Sequence, residues 1–154
     1  MGGAQQTDKT AENGRLTMLK GVNWIAVVVA TVVLEVLGYV WYAVAFKAAW
    51  TAAGGGAQTN GLSQGAAYGL GVVNTVIIMI GLAWLLARLG RSGLMASVGA
   101  ALAAWLFFDF TTMAIDFLYQ GQSAALVQIN MGEQLVSYLL AGVIFGLLPA
   151  KRTG

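Results

Sequence analysis

The feature that most constrains this chain is a series of long apolar stretches that carry almost no charge. A helix that crosses a bilayer needs about 20 mostly apolar residues, and four stretches are predicted to reach that length: 22–46, 66–87, 94–118 and 126–148. The uncharged apolar part of the last stretch, 134–148, is short, so the predicted helix is extended back across Asn130 and Glu133. The pattern therefore predicts an all-α membrane protein, a four-transmembrane-helix bundle that occupies residues 22–149 as a single domain.

Composition excludes most other protein classes. Of the 154 residues, 58% are hydrophobic and 9% are charged, whereas a soluble domain averages about 45–50% and about 25%. A soluble enzyme, a nucleic-acid-binding domain and a disordered chain are all disfavoured. The chain has no Cys and no His, which removes the residues needed for zinc sites, His-ligated haem, thiol catalysis and Ser-His-Asp triads. We therefore expect no metal, no cofactor and no enzymatic activity.

The positive charges predict the orientation in the membrane. Cytoplasmic segments that flank spanning helices carry an excess of Lys and Arg. Seven of the eight basic residues lie in the amino-terminal tail, the second connection or the carboxyl terminus, and Lys47 alone lies in another connection. Both termini are therefore predicted to be cytoplasmic, with residues 1–21 as a polar disordered tail and 150–154 as a basic end. Met1 and Met18 both remain candidates for the native start.

Two acidic residues lie where a bilayer makes charge costly. Glu35 is in the first predicted span and Asp109 is in the third; an unpaired charge at mid-depth costs at least about 2.5–3.5 kcal/mol on insertion scales. Asn74 in the second span falls at a similar depth. One interpretation is a proton or cation site built from Glu35, Asp109 and Asn74, with Asp116 and Glu133 at an outer vestibule. The other is a packing network of protonated acids and neighbouring polar groups, in which Asp116 and Glu133 are simply solvated.

Pairs of glycines spaced four apart indicate where helices approach closely. Gly142 and Gly146 form such a pair in the fourth span, and Gly65 and Gly69 form another at the outer end of the second. The simplest interpretation is packing inside one bundle, and the alternative is homodimerisation through the fourth span.

An ordered aromatic set carries a family resemblance. Its members follow one another through the first span and its exit: Asn23, Trp24, Gly38, Trp41, Tyr42, Phe46 and Trp50. Together with Tyr138 and Gly142 in the fourth span, this set resembles a family of four-span bacterial membrane proteins catalogued as domain of unknown function 1761, over about residues 22–148. The resemblance implies a four-helix membrane bundle and no established activity, so it assigns no catalytic residue.

A second resemblance competes with the first. Small multidrug transporters also have four short spans and a Glu in the first helix that is soon followed by Gly, as Glu35 is followed by Gly38. This chain differs from them in its longer tail and in the pair Asp109 and Asp116.

Two functional hypotheses follow for a protein of the bacterial inner membrane. The first is a structural or accessory component that acts through helix packing, either as a homo-oligomer or in a larger membrane complex. The alternative is a small proton- or cation-coupled transporter that uses Glu35 and Asp109 on an unknown small-molecule substrate. The lipid bilayer is the expected partner in both, and the basic excess is an orientation signal with no implied nucleic-acid partner.

Overall fold

A computed structural model describes residues 21–56, 61–90 and 93–149. The predicted polar tail, except for its last residue, and the predicted basic carboxyl terminus lie outside these residues. The described part of the chain is helical and contains no strands, as the sequence predicts. The helices are α1 (Trp24–Ala45), α2 (Lys47–Ala52), α3 (Gln64–Arg88), α4 (Leu94–Gln120) and α5 (Ala124–Leu147). Two of them change pitch: α1 is π-helical over Val40–Ala45 and α4 over Trp105–Phe110.

Local sequence signals explain where the long helices begin. Side-chain oxygens of Asn23, Ser63 and Ser123 accept hydrogen bonds from the first free backbone N–H groups of α1, α3 and α5, which is the usual amino-terminal cap. At the other end of α4, Gly121 adopts a left-handed conformation with φ of 67°, where a side chain would be strained. The connection between α4 and α5 is therefore only three residues long, from Gly121 to Ser123.

Three helices are long and apolar enough to cross a membrane, by length and composition: α1, α3 and α4. Helix α5 has a similar length of 24 residues but carries Asn130, Glu133 and Gln134 in its first half. In the most apolar windows of the three candidate spans, at most 28% of the residues are buried within the protein. The outer surface is accordingly rich in large exposed apolar side chains such as Ile25, Ile77 and Phe107, a surface suited to lipid rather than water.

The bundle is tightly packed at one end only. Helix α1 packs against α3 and α5, and α5 packs most extensively against the first half of α4, whereas α3 and α4 meet only slightly. Buried apolar residues, Val127 excepted, lie in the first half of α1 and α4 and the second half of α3 and α5. We call this the closed end of the bundle. Asn23 donates hydrogen bonds there to the carbonyls of Leu148 (3.0 Å) and Pro149 (3.3 Å), so the start of α1 and the end of α5 lie together.

Two glycines allow the close approach of α5 and α4. A Cβ atom added to Gly142 would lie 2.8 Å from the Cα of Val98, and one added to Gly146 would lie 2.8 Å from the Cα of Leu94. Both distances are too short for any side chain, so this pair packs inside one chain. Gly65 and Gly69 differ, because an added Cβ would meet nothing within 4 Å. At this opposite end of the bundle, which we call the open end, an added Cβ would contact no other helix, so the close packing expected at the second pair is not found within the described chain.

Candidate functional site

Four polar side chains, one from each long helix, lie in one layer of the bundle. Glu35 follows the start of α1 by eleven residues, and Asp109 follows the start of α4 by fifteen. Asn74 and Glu133 each precede the last residue of their helix by fourteen. At about 1.5 Å per residue, these positions are about 17–22 Å from the closed end. All four therefore lie just beyond the apolar core.

A cavity of about 310 Å³ occupies this layer. Its floor includes the buried side chains of Leu34 and Met79, which belong to the core of the closed end. The polar side chains that line it come from all four long helices: Glu35, Tyr42, Asn74, Thr75, Asp109, Glu133, Gln134, Ser137 and Tyr138. The volume is near the lower limit of ordinary small-molecule pockets, which measure about 300–1,000 Å³.

The wall of the cavity carries several acids without a countercharge. Glu35, Asp109 and Glu133 all line it, and no Lys or Arg does so in the described part of the chain. Glu35 and Glu133 come from α1 and α5, which pack against each other. Across residues 21–56, 61–90 and 93–149, however, no three acidic side chains converge closely enough to hold a metal ion. The acids are therefore spread around the wall rather than focused on one point.

Most hydroxyl groups in the wall already donate to protein acceptors. Ser137 donates to Oε1 of Glu133 at 2.7 Å, and Thr75 donates to the carbonyl of Gly71 at 3.2 Å. Tyr42 donates to Oδ1 of Asn130 at 3.2 Å. These bonds leave few hydroxyl protons for anything inside the cavity.

Two oxygen atoms in the wall have no partner. Oδ2 of Asp109 and Oε1 of Gln134 are fully buried and accept no hydrogen bond within the described residues. The hydroxyl group of Tyr138 approaches the Asp109 carboxyl group but leaves Oδ2 unbonded. Buried polar atoms are nearly always hydrogen-bonded in proteins, so two orphan acceptors in one cavity indicate a place where a donor belongs.

The two π-helical segments help to position the site. One contains Tyr42 and the other contains Asp109, and both side chains line the cavity. A π turn adds one residue to the helical repeat and rotates the following side chains, and such turns are frequent at functional sites. They occur in two helices that run in the same direction, sixteen residues after the start of α1 and eleven residues after the start of α4.

The ordered aromatic set joins α1 to α5. Trp41 donates from Nε1 to the carbonyl of Ile129 at 3.2 Å, and its ring lies 3.2 Å from where a Cβ of Gly132 would be. Tyr42 reaches the same helix through its hydrogen bond to Asn130. The predicted motif is thus a contact between these two helices at the level of the cavity and beyond.

The remaining members of the set lie around this contact. Phe46 packs on Trp41 with ring centroids 4.5 Å apart, and Trp50 packs on Tyr42 at 5.1 Å. Gly38 lines the cavity. Trp24 is 47% exposed at the closed end, next to the Asn23 cap. Asn23 and Trp41 therefore tie α1 to α5 at two different heights.

The site residues predicted from the sequence separate into two groups. Glu35, Asp109 and Asn74 line one cavity, whereas Asp116 lies toward the open end and accepts a hydrogen bond from Gln120 at 2.6 Å. The outer-vestibule or solvated position expected for Glu133 is not what the structure shows, because its side chain lines the cavity wall. Helix α5 begins at Ala124, which places Glu133 about 14 Å inside the helix at about 1.5 Å per residue.

Gln134 and Tyr138 also line the cavity; sequence reasoning missed Gln134 and named Tyr138 only as part of the family resemblance. These residues are four apart and share a face of α5. Glu133 and Ser137 repeat that spacing one residue earlier. Two such polar pairs in an otherwise apolar helix were a signal that one side of α5 faces a polar space.

Comparisons with known proteins agree with the resemblance. A family model described as "Protein of unknown function (DUF1761)" matches residues 25–146. No curated protein and no solved structure matches the chain.

Proposed function

We propose that this chain, which belongs to the DUF1761 family of proteins of unknown function, is a small membrane transporter. It would bind a cation or proton in the cavity between its four long helices. The observation that carries the proposal is the cavity itself. It brings Glu35, Asp109 and Glu133 together without a basic residue in its described wall. Ionisable groups inside a membrane protein commonly line substrate or ion pathways.

The proposal places all four long helices across the bacterial inner membrane, with both termini in the cytoplasm. Helix α5 packs along both α1 and α4, so it lies at the same depth as these two apolar helices. Its polar residues support this position, because Glu133 and Gln134 line the cavity and Asn130 bonds to Tyr42. The distribution of Lys and Arg favours a cytoplasmic closed end.

The geometry also fits a transport cycle better than a reaction. The site is sealed toward the closed end by the apolar core and is loosely packed toward the open end. Transport would require two states of the bundle. In the second state the helices would separate at the closed end and pack together at the open end. We propose no chemical transformation of the ligand.

Flux in reconstituted vesicles tests the proposal. A pH-sensitive dye inside proteoliposomes would report proton movement when an inward or outward gradient of Na⁺, K⁺ or an organic ammonium ion is imposed. We expect a flux that Glu35→Gln and Asp109→Asn each abolish and that Asp116→Asn leaves unchanged, because Asp116 is outside the cavity wall. Equal flux in all variants and the parent chain would contradict the proposal.

A second candidate is an accessory role in a membrane assembly. The open faces of Gly65 and Gly69 favour it, because a Cβ atom added to either glycine would meet nothing within 4 Å. Small residues let two membrane helices approach closely. A second copy of the chain or another membrane protein would pack there. Sizing in a native-like detergent tests this role: an assembly that Gly65→Leu or Gly69→Leu disrupts supports it, and an isolated monomer contradicts it.

A further inference from the structure

The hydrogen-bonding capacity of the cavity is strongly unbalanced. The hydroxyl protons of Tyr42, Thr75 and Ser137 are already donated to protein oxygens. Unpartnered acceptors remain at Oδ2 of Asp109 and Oε1 of Gln134. The wall also holds the amide N–H groups of Asn74 and Gln134 and the hydroxyl group of Tyr138. Its three carboxylates accept at both oxygens and donate from neither, so acceptor oxygens outnumber the donor groups. A complementary ligand must supply N–H donors and positive charge.

The size and spread of the cavity favour an organic cation over a bare metal ion. At about 30 Å³ per water, a cavity of about 310 Å³ has room for about ten waters, which is far more than one inorganic ion would fill. No three acids of the described chain converge on a single point. An ammonium group offers up to three donors that point in different directions, which suits acceptors placed around a wall.

The cavity is only partly enclosed by the described residues. Helices α3 and α4 make few contacts with each other, and Asn74 and Gly71 both line the cavity and are exposed at this edge. Phe107 and Phe108 on α4 are also exposed, at 66% and 67%. We call this edge the α3–α4 seam. Its apolar surroundings suit a hydrocarbon chain that extends from the cavity toward lipid.

From these observations we propose that the cavity takes a primary alkylammonium ion, with its ammonium group among Asp109, Gln134 and Glu35 and its alkyl chain in the α3–α4 seam. The inference rests on the proposed cation-binding function and adds the ligand class and the route. The charge of the ligand meets the acids, its N–H groups pair with carboxyl and amide oxygens of the wall, and its chain meets the apolar edge.

Saturation binding to the full chain in lipid nanodiscs tests the inference. Four probes separate the contributions of charge, N–H donors and alkyl chain length to binding. They are hexylammonium, ethylammonium with a short chain, hexyltrimethylammonium with no N–H donor, and neutral hexanol. Equilibrium dialysis against empty nanodiscs subtracts partition into lipid. We expect saturable binding of hexylammonium and at least about tenfold weaker binding of each of the other three probes. Ethylammonium loses apolar contact, hexyltrimethylammonium loses the charge-assisted hydrogen bonds, and hexanol loses the charge. Equal binding of hexylammonium and hexyltrimethylammonium, or no saturable binding of hexylammonium, would overturn the inference.

Two sets of variants locate the binding site. Asp109→Asn is expected to weaken hexylammonium binding by about tenfold or more, and Asp116→Asn is expected to leave it unchanged. Gly71→Leu would fill the seam without a clash, because a Cβ at Gly71 meets nothing within 4 Å, so it is expected to fold and to weaken hexylammonium binding. Gly81→Leu is its control, since that glycine is on the same helix and equally open but does not line the cavity. Identical binding in Gly71→Leu and Gly81→Leu would contradict the α3–α4 seam as the position of the alkyl chain.

The outcome also separates this inference from the proposed function. If vesicle flux depends on Glu35 and Asp109 while hexylammonium does not bind, the ligand class is wrong and the transport proposal stands. If flux is independent of both acids and hexylammonium does not bind, both proposals are wrong.

Discussion

Replacement of Gly142 by alanine should weaken the bundle by an amount that the structure sets. The added Cβ would lie 2.8 Å from the Cα of Val98 and 3.1 Å from the Cβ of Ala101, whereas carbon atoms in contact prefer about 3.5–4.0 Å. The contact at Val98 is with backbone, so α5 and α4 must separate by about 1 Å. Overpacking of this kind costs about 1–3 kcal/mol, and separation would also loosen the contact at Gly146.

The measurement is the free energy of unfolding in mixed micelles, from reversible SDS titration followed by circular dichroism. Gly142→Ala is expected to lower this free energy by about 1–3 kcal/mol. Gly81→Ala is the matched control: it adds the same methyl group at a helix position where an added Cβ meets nothing within 4 Å, so only helix propensity changes, by about 1 kcal/mol or less and in the stabilising direction. Equal effects of the two substitutions would refute the packing that we describe for α5 and α4.

Three further predictions concern the contacts between α1 and α5 and the orientation of the chain in the membrane. Asn23→Ala removes both a cap and the bonds to Leu148 and Pro149, and should lower the free energy of unfolding by about 1–2 kcal/mol; Asn23→Ser keeps a cap oxygen and should lower it by less. Trp41→Phe retains the ring but loses the hydrogen bond to Ile129, at a cost of about 0.5–1.5 kcal/mol in the same titration. Gly56→Cys, in a chain without native cysteine, should react with a membrane-impermeant thiol reagent added outside intact cells, and labelling only after lysis would contradict the proposed orientation.

The sequence carried enough information to predict the helical architecture. Spanning helices have a strong signal because each needs a long uninterrupted apolar run, and α1, α3 and α4 correspond to three such runs. The two π-helical segments could not be predicted, because one extra residue per turn leaves no trace in a stretch where most side chains are apolar. The caps at Asn23, Ser63 and Ser123 were visible only as residue types that favour such positions.

The candidate site was partly visible in the sequence. Glu35 and Asp109 stand out because charge is rare inside apolar helices, and helical rise alone gives them similar depth. Glu133 was less visible because its depth depends on where α5 begins, and that start is set by Ser123 and the short turn at Gly121. The orphan oxygens of Asp109 and Gln134 depend on which donors are used elsewhere, which only a three-dimensional structure shows.

The proposed function depends on a polar, acid-lined cavity inside the membrane. Introduced cysteines test it directly, because the chain has none of its own. Asn74→Cys places a thiol at the exposed edge of the cavity. Val73→Cys places one on the next residue of α3, which is 53% exposed but does not line the cavity.

The measurement is the rate at which a cationic and an anionic methanethiosulfonate reagent of similar size modify each thiol in proteoliposomes. We expect both reagents to modify Asn74→Cys, and the cationic reagent to react at least about tenfold faster because the acids attract it. The combined substitutions Glu35→Gln and Asp109→Asn should remove most of that preference. Val73→Cys should resist both reagents because it faces lipid. Equal rates for the two reagents at Asn74→Cys, or protection of that thiol as complete as at Val73→Cys, would contradict the account.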